Sequence, residues 1–247
     1  KLDMFLDKPS DAPIKSLAHL LKNIPPARLF EESLKLLQSG HGVKTYRLLR
    51  QYGLFEPLFP LLTPYFTEYE DSMTEKMILR ALTSTDERVA DKLPINPAFL
   101  FAAFFWYPLR ERVEVLKNEG GLNNYDAYAL ASNDVLEQLC KSLAVPRRHT
   151  AVIREIWLLQ LQFLKRTPKS VQRAIEQAKF RAGFDLLVIR AEIEGGEAVE
   201  LAAWWHEYQF SNESQRQDLV KELPSQPKKR KYHRRKRHYS AKKVSHE

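Results

Sequence analysis

The chain has 247 residues, 44% apolar and 11% aromatic, enough to bury a core in one or two domains. Its longest apolar run, Ala98 to Leu109, is shorter than the roughly 20 residues a transmembrane helix needs, and its single cysteine, Cys140, excludes an intrachain disulfide. The formal charge of +8 is concentrated at one end: Lys228 to Lys243 hold ten Lys/Arg and no acid, and residues 1–227 carry 29 basic against 30 acidic residues, a net of −1.

Lys1-Leu2-Asp3-Met4 offers no basic region followed by an apolar stretch, so no signal peptide is expected. Without an initiator Met, the sequence is expected to begin inside a larger protein. Pro25-Pro26 opens an amphipathic helix with Leu29, Phe30, Ser33, Leu34 and Leu37 on one face, ending at Gly40. Gly40-His41-Gly42 and Leu54 to Pro64 read as connectors, the latter as short turns because of Pro57, Pro60 and Pro64. Ser72-Met73-Thr74-Glu75 has the spacing of a capping box, in which Ser72 and Glu75 satisfy each other's backbone donors. The helix it starts carries Met77, Ile78, Ala81 and Leu82.

Asn96-Pro97 caps the run to Leu109, which is apolar all round and reads as one central helix. Phe101, Phe105 and Trp106 are expected to form the densest part of the core. Cys140 reads as a buried small apolar residue. Pro146 opens a helix through Ile153, Ile156, Trp157, Leu159, Gln160 and Leu164, and Thr167-Pro168 caps the next. Phe180 to Ile193 continues the pattern, Gly195-Gly196 breaks it, and Ala198 to Phe210 resumes it with Leu201, Trp204, Trp205 and Tyr208 inward. The expectation is an all-α protein of roughly ten helices.

Within the neutral part, residues 141–190 hold 11 cations (among them Arg147, Arg148, Arg154, Lys165, Arg166, Lys169, Arg173 and Arg190) against Glu155, Glu176 and Asp185. A basic stripe of this kind suits a polyanion. The C-terminal run Lys228, Lys229, Arg230, Lys231, Tyr232, His233, Arg234, Arg235, Lys236, Arg237 mixes cations with aromatic rings, which neutralise phosphates and stack on unpaired bases. With few apolar residues and strong self-repulsion, this arm is expected to be disordered when free. Seven histidines and one cysteine show no zinc spacing, and no phosphate-cradling glycine loop is present, so no metal site and no self-contained active site are expected.

Several strings resemble the poly(A) polymerase branch of the bacterial tRNA nucleotidyltransferase/poly(A) polymerase family. They are Ile24-Pro25-Pro26-Ala27-Arg28-Leu29-Phe30-Glu31-Glu32-Ser33, Tyr52-Gly53-Leu54-Phe55-Glu56-Pro57-Leu58-Phe59-Pro60, Asn96 to Ala103, Phe105-Trp106-Tyr107-Pro108-Leu109 and Lys179-Phe180-Arg181-Ala182. The resemblance implies a helical neck region over residues 1–64, a body and leg over 65–223 and a basic arm over 224–247. Arg28 and Glu32 match neck positions that support nucleotide recognition without chemistry. Members of the family carry their catalytic carboxylates on a separate α/β head with a Gly-Ser turn and an Asp-x-Asp/Glu strand, neither of which occurs here.

The implied role is therefore RNA binding within an enzyme that adds AMP from ATP to RNA 3′ ends and so promotes mRNA decay. Mg²⁺ and ATP would serve the intact enzyme, and no cofactor is expected on this segment. Single-stranded RNA 3′ ends and RNA-decay proteins are the implied partners, with a monomer in a bacterial cytoplasm as the implied state. Arg147, Arg148, Lys165, Arg166, Lys169, Arg173 and the eight Lys/Arg from Lys228 to Arg237 are the candidate RNA contacts. The alternative reading is a helical scaffold whose basic arm meets acidic partners or a membrane surface.

Overall fold

The structure is a computed structural model and describes residues 6–221. Among these residues all regular structure is helical. The chain runs through α1 (Lys8–Leu17), a 3-10 turn (Ala18–Asn23), α2 (Pro26–Leu37), α3 (Gly42–Gln51), α4 (Phe55–Leu58) and a second 3-10 turn (Pro60–Tyr65). It continues with α5 (Met73–Ala90), α6 (Pro97–Phe104), α7 (Trp106–Asn118), α8 (Asn124–Ser142) and α9 (Arg147–Phe163). The last four are α10 (Pro168–Ile175), α11 (Phe180–Glu194), α12 (Glu197–Phe210) and α13 (Glu213–Lys221).

Local sequence sets many of the helix starts. Asn96 Oδ1 accepts from the Ala98 amide at 3.0 Å, and Thr167 Oγ1 accepts from Ser170 at 3.3 Å. Gly195 and Gly196 both have positive φ, 68° and 51°, which turns the chain between α11 and α12 where a side chain would be strained. The segment 54–64 is more ordered than a set of turns, since Phe55–Leu58 makes one α-helical turn and Pro60–Tyr65 a 3-10 turn. The capping box at Ser72 forms only half. Glu75 N–H donates to Ser72 Oγ at 3.1 Å, but the Glu75 carboxylate turns to Arg50 (2.7 Å) and to the Thr67 amide (2.9 Å).

The expected single helix over 98–109 is two helices, with Phe105 (φ −99°, ψ 14°) as the joint. Pro108 explains the break. In a continuous helix its ring would collide with the Phe104 carbonyl four residues earlier, so it is tolerated only in the first turn of a new helix. Phe101, Phe104, Phe105 and Trp106 are all fully or almost fully buried. They belong to the larger of two apolar clusters, which also gathers Leu29 and Phe30 from α2, Tyr46 from α3, Phe55 and Phe59. Phe59 alone has Phe101, Phe104 and Phe105 within ring-contact distance, at 6.0–6.3 Å between centroids. A second cluster unites Leu159 and Phe163 of α9 with Val171, Phe180, Phe184, Leu201 and Trp205. Cys140 is half-buried.

α9 belongs to both clusters. Trp157 Nε1 donates to the Ala102 carbonyl at 2.8 Å, and the Phe163 carbonyl accepts from Trp205 Nε1 at 3.1 Å. The helix is thereby pinned to α6 in its middle and to α12 at its end. Beside it, Gly183 of α11 comes so close that a Cβ there would lie 2.8 Å from Leu159 Cδ1.

Candidate nucleic-acid interface

The cations of residues 141–190 divide into two groups. Arg190 is buried: it pairs with Glu194 at 2.9 Å, donates to Gln160 Oε1 at 3.0 Å and stacks over Trp106 with 4.4 Å to the ring centroid. Trp106 Nε1 also donates to Glu194, at 3.0 Å. Burial alone would raise the Glu194 pKa, but Arg190 and the indole N–H outweigh it and hold the carboxyl below its ordinary range. Arg190 is thus a core cation and not part of a basic surface. Lys141 pairs with Glu137 and Arg181 with Asp185, each one helical turn away.

The six candidates Arg147, Arg148, Lys165, Arg166, Lys169 and Arg173 behave differently. Among the described residues none has a carboxylate within ion-pair distance. All are exposed except Arg166, which is half-buried with its guanidinium 5.6 Å from the Trp204 ring centroid. Arg148 Nε donates to His149 Nε2 at 3.3 Å, and the half-buried His149 ring packs on Phe30 of α2 at 5.7 Å. Burial first, and then the Arg148 charge, push the His149 pKa down, which keeps the ring neutral and able to accept that bond.

The placement of three of them, Arg147, Arg148 and Lys169, opposes helix stability. Arg147 and Arg148 begin α9 and Lys169 lies in the first turn of α10, and neither helix has an acid in its first turn. Cations at a helix N-terminus face the positive end of the macrodipole, at a cost of roughly 0.3–1 kcal/mol each. Folding does not call for them there, whereas a phosphate would meet both the side chains and the helix N-terminus favourably.

The two clusters are not one pocket. Arg147/Arg148 and Lys165/Arg166 stand at opposite ends of α9, roughly 27 Å apart at 1.5 Å per residue. Between them, Arg154 projects from the same helix and donates to Asn133 Oδ1 of α8 at 2.9 Å. Its place seven residues after Arg147, two helical turns on, is the signal that marks it as a member of the surface. Arg28 and Glu32 are exposed on α2, with Glu32 paired to Lys35 at 2.8 Å. Lys228 to Arg237 lie outside the described residues. Among the described residues no three His, Cys, Asp or Glu side chains converge as a metal site would require, and no helix is long and apolar enough to cross a membrane.

Two family descriptions match the chain. "Probable RNA and SrmB- binding site of polymerase A" covers residues 3–66, and "Polymerase A arginine-rich C-terminus" covers residues 120–238. The chain is 73% identical over 240 residues to poly(A) polymerase I of Haemophilus influenzae, covering 96% of this chain and 53% of that protein. The chain belongs to the bacterial poly(A) polymerase family. It is also 50% identical over 228 residues to poly(A) polymerase I of Salmonella typhimurium, covering 92% of this chain and 49% of that relative. With the Escherichia coli O6:H1 poly(A) polymerase I the identity is 49% over 238 residues, covering 96% and 51%. The chain thus spans about half the length of the curated poly(A) polymerases it matches. The arginine-rich match includes both ends of α9, α10 and the cations from Lys228 to Arg237.

Proposed function

We propose that this chain is the RNA-holding part of a polynucleotide adenylyltransferase that adds AMP from ATP to RNA 3′ ends without a template. The observation that carries this reading is the set of exposed cations without carboxylate partners at the two ends of α9, inside the arginine-rich match. Such a surface neutralises phosphates and holds a strand with little regard to its bases. Mg²⁺ and ATP would serve the whole enzyme, and no chemical step is assigned to the residues of this chain. In this reading residues 1–64 act as the neck, 65–223 as body and leg and 224–247 as the basic arm. A family match ending at residue 66 supports the first division. Arg28 and Glu32 serve there as supports, and Arg147, Arg148, Lys165, Arg166, Lys169, Arg173 and the arm contact RNA. We further assign the enzyme to the bacterial cytoplasm, as a monomer working with RNA-decay proteins.

The test is a titration of labelled single-stranded RNA with the chain and with a variant carrying Arg147→Ala, Arg148→Ala, Lys165→Ala and Arg166→Ala, at several salt concentrations. The expected result is weaker binding and a shallower salt dependence in the variant. Equal affinity and equal slope would remove α9 from the RNA surface and favour the scaffold reading.

A further inference from the structure

Arg147 and Lys165 are separated by 18 residues, as are Arg148 and Arg166. Eighteen residues are about five whole turns of an α-helix, so residues so spaced share one azimuth where the helical path continues. The helix itself ends at Phe163, but Leu164 keeps right-handed helical angles (φ −68°, ψ −21°), which carries the path on to Lys165. Arg147 and Lys165 therefore lie along one side of the helix, with Arg166 following Lys165 beyond the helix end. Between them Ala151 and Glu155 are exposed, whereas Arg154, Leu158 and Gln162 are half-buried, Leu158 against the core and Gln162 against Gln177. Glu155 is the one acid within α9. Arg154 stands on this face two turns after Arg147. Its single bond to Asn133 leaves most of the guanidinium's donors available.

We infer that a single RNA strand lies lengthwise on the outer face of α9, bridging Arg147/Arg148 at one end and Lys165/Arg166 at the other, with Arg154 as a midway phosphate contact. The inference rests on the RNA-holding reading above and adds a direction and a length to it. Pinning by Trp157 to α6 and by Trp205 to Phe163 keeps the spacing of roughly 27 Å fixed, so the strand and not the protein must accommodate. At roughly 3.4 Å per nucleotide in a stacked strand, about eight nucleotides reach from one cluster to the other. An unstacked strand would need fewer, but a trinucleotide is too short.

The experiment measures affinities of oligo(A) of 3 and 10 nucleotides for the whole chain, for Arg147→Ala/Arg148→Ala and for Lys165→Ala/Arg166→Ala. A strand that bridges gains from both ends at once, so loss of either cluster should weaken the decamer on the order of tenfold or more. A trinucleotide occupies one cluster at a time, and loss of either should weaken it by no more than about twofold. Arg154→Ala should weaken the decamer and leave the trinucleotide unchanged. Equal losses for both lengths would overturn the bridging strand while leaving RNA binding by α9 intact. No loss at either length would overturn the RNA surface of α9 altogether. Arg147, Arg148 and Lys165 are solvent-facing while Arg154 and Arg166 are half-buried, and equal melting temperatures for all proteins verify that folding is not the cause.

Discussion

Glu75 begins α5 with a side chain that belongs, by local spacing, to a helix cap, yet it is fully buried against Arg50. Arg50 in turn reaches Tyr46 at 3.0 Å, lies 3.0 Å from Glu56 and covers the Phe66 ring at 3.8 Å. Burial by itself would raise the Glu75 pKa; the bonds from Arg50 and Thr67 outweigh it and leave the carboxyl below its ordinary value. A depressed folded-state pKa stabilises the protein fully above the unfolded carboxylate range, near about 4.3, and that stabilisation is lost as pH falls through the folded value. Glu75→Gln should therefore destabilise the protein at pH 7 by about 1–3 kcal/mol, because Arg50 loses its buried partner and keeps only the half-buried Glu56. It should also flatten the acid limb of a plot of melting temperature against pH between about 5 and 2. A melting temperature unchanged at pH 7 would show that the pair contributes nothing. Trp106 is the other residue on which much depends, since its ring fills the core while its indole N–H holds Glu194. Trp106→Ala should cost roughly 3–5 kcal/mol, read by denaturant unfolding.

Among the elements, α9 and α11 pack closely where Gly183 meets Leu159. The added methyl of Gly183→Ala would stand 3.0 Å from Leu159 Cβ as well as 2.8 Å from its Cδ1, so a rotamer change alone does not relieve it. Destabilisation of roughly 1–3 kcal/mol is expected, the range for overpacking. Because this contact is on the inner face of α9, RNA affinity well below the melting temperature should stay unchanged, which anisotropy titration checks. The helix starts at Asn96 and Thr167, the break at Gly195-Gly196 and the apolar faces of α2, α5 and α12 were legible from local pattern. What was not legible depended on distant partners. Asp86 of α5 accepts from the Gly42 amide at 2.7 Å and the Val43 amide at 3.1 Å, capping α3 across sequence separations of 44 and 43. Arg190 looked like surface charge because its neutralising Glu194 and its aromatic partner Trp106 meet it only in the folded chain. The joint at Phe105 was concealed by an unbroken apolar run, although Pro108 carried the signal. For the candidate surface, residue types and local charge excess identified both clusters; their separation along one helix required knowing where α9 starts and ends.

At the scale of the molecule, charge is divided between residues 1–227, which are nearly neutral, and residues 228–247, which are strongly basic. Residues 228–247 hold ten of the 39 Lys/Arg, and the remainder is net −1. A nearly neutral body attracts RNA only through local fields, such as those at the two ends of α9, and these decay over about 10 Å at 0.1 M salt. In the proposed reading the arm supplies a dense run of cations that release counterions from the phosphates they meet, a gain that falls steeply with salt. Deleting residues 228–247 should therefore weaken single-stranded RNA binding and flatten its salt dependence. If about six arm cations meet phosphates, their share of the slope of log K against log[salt] is near −4, at roughly −0.7 per contact on a single strand. Raising salt from about 50 to 200 mM would then weaken the intact chain by a few hundred-fold through the arm alone. The deletion should remove most of that dependence and leave the residue owed to Arg147, Arg148, Lys165 and Arg166. Base preference should stay slight in both proteins, since phosphate contacts and ring stacking carry little sequence information. The measurement is a titration of both proteins with labelled oligo(A) and a mixed-sequence RNA at three salt concentrations. Equal slopes would leave the arm without a part in RNA binding and shift the electrostatic work to the helical body.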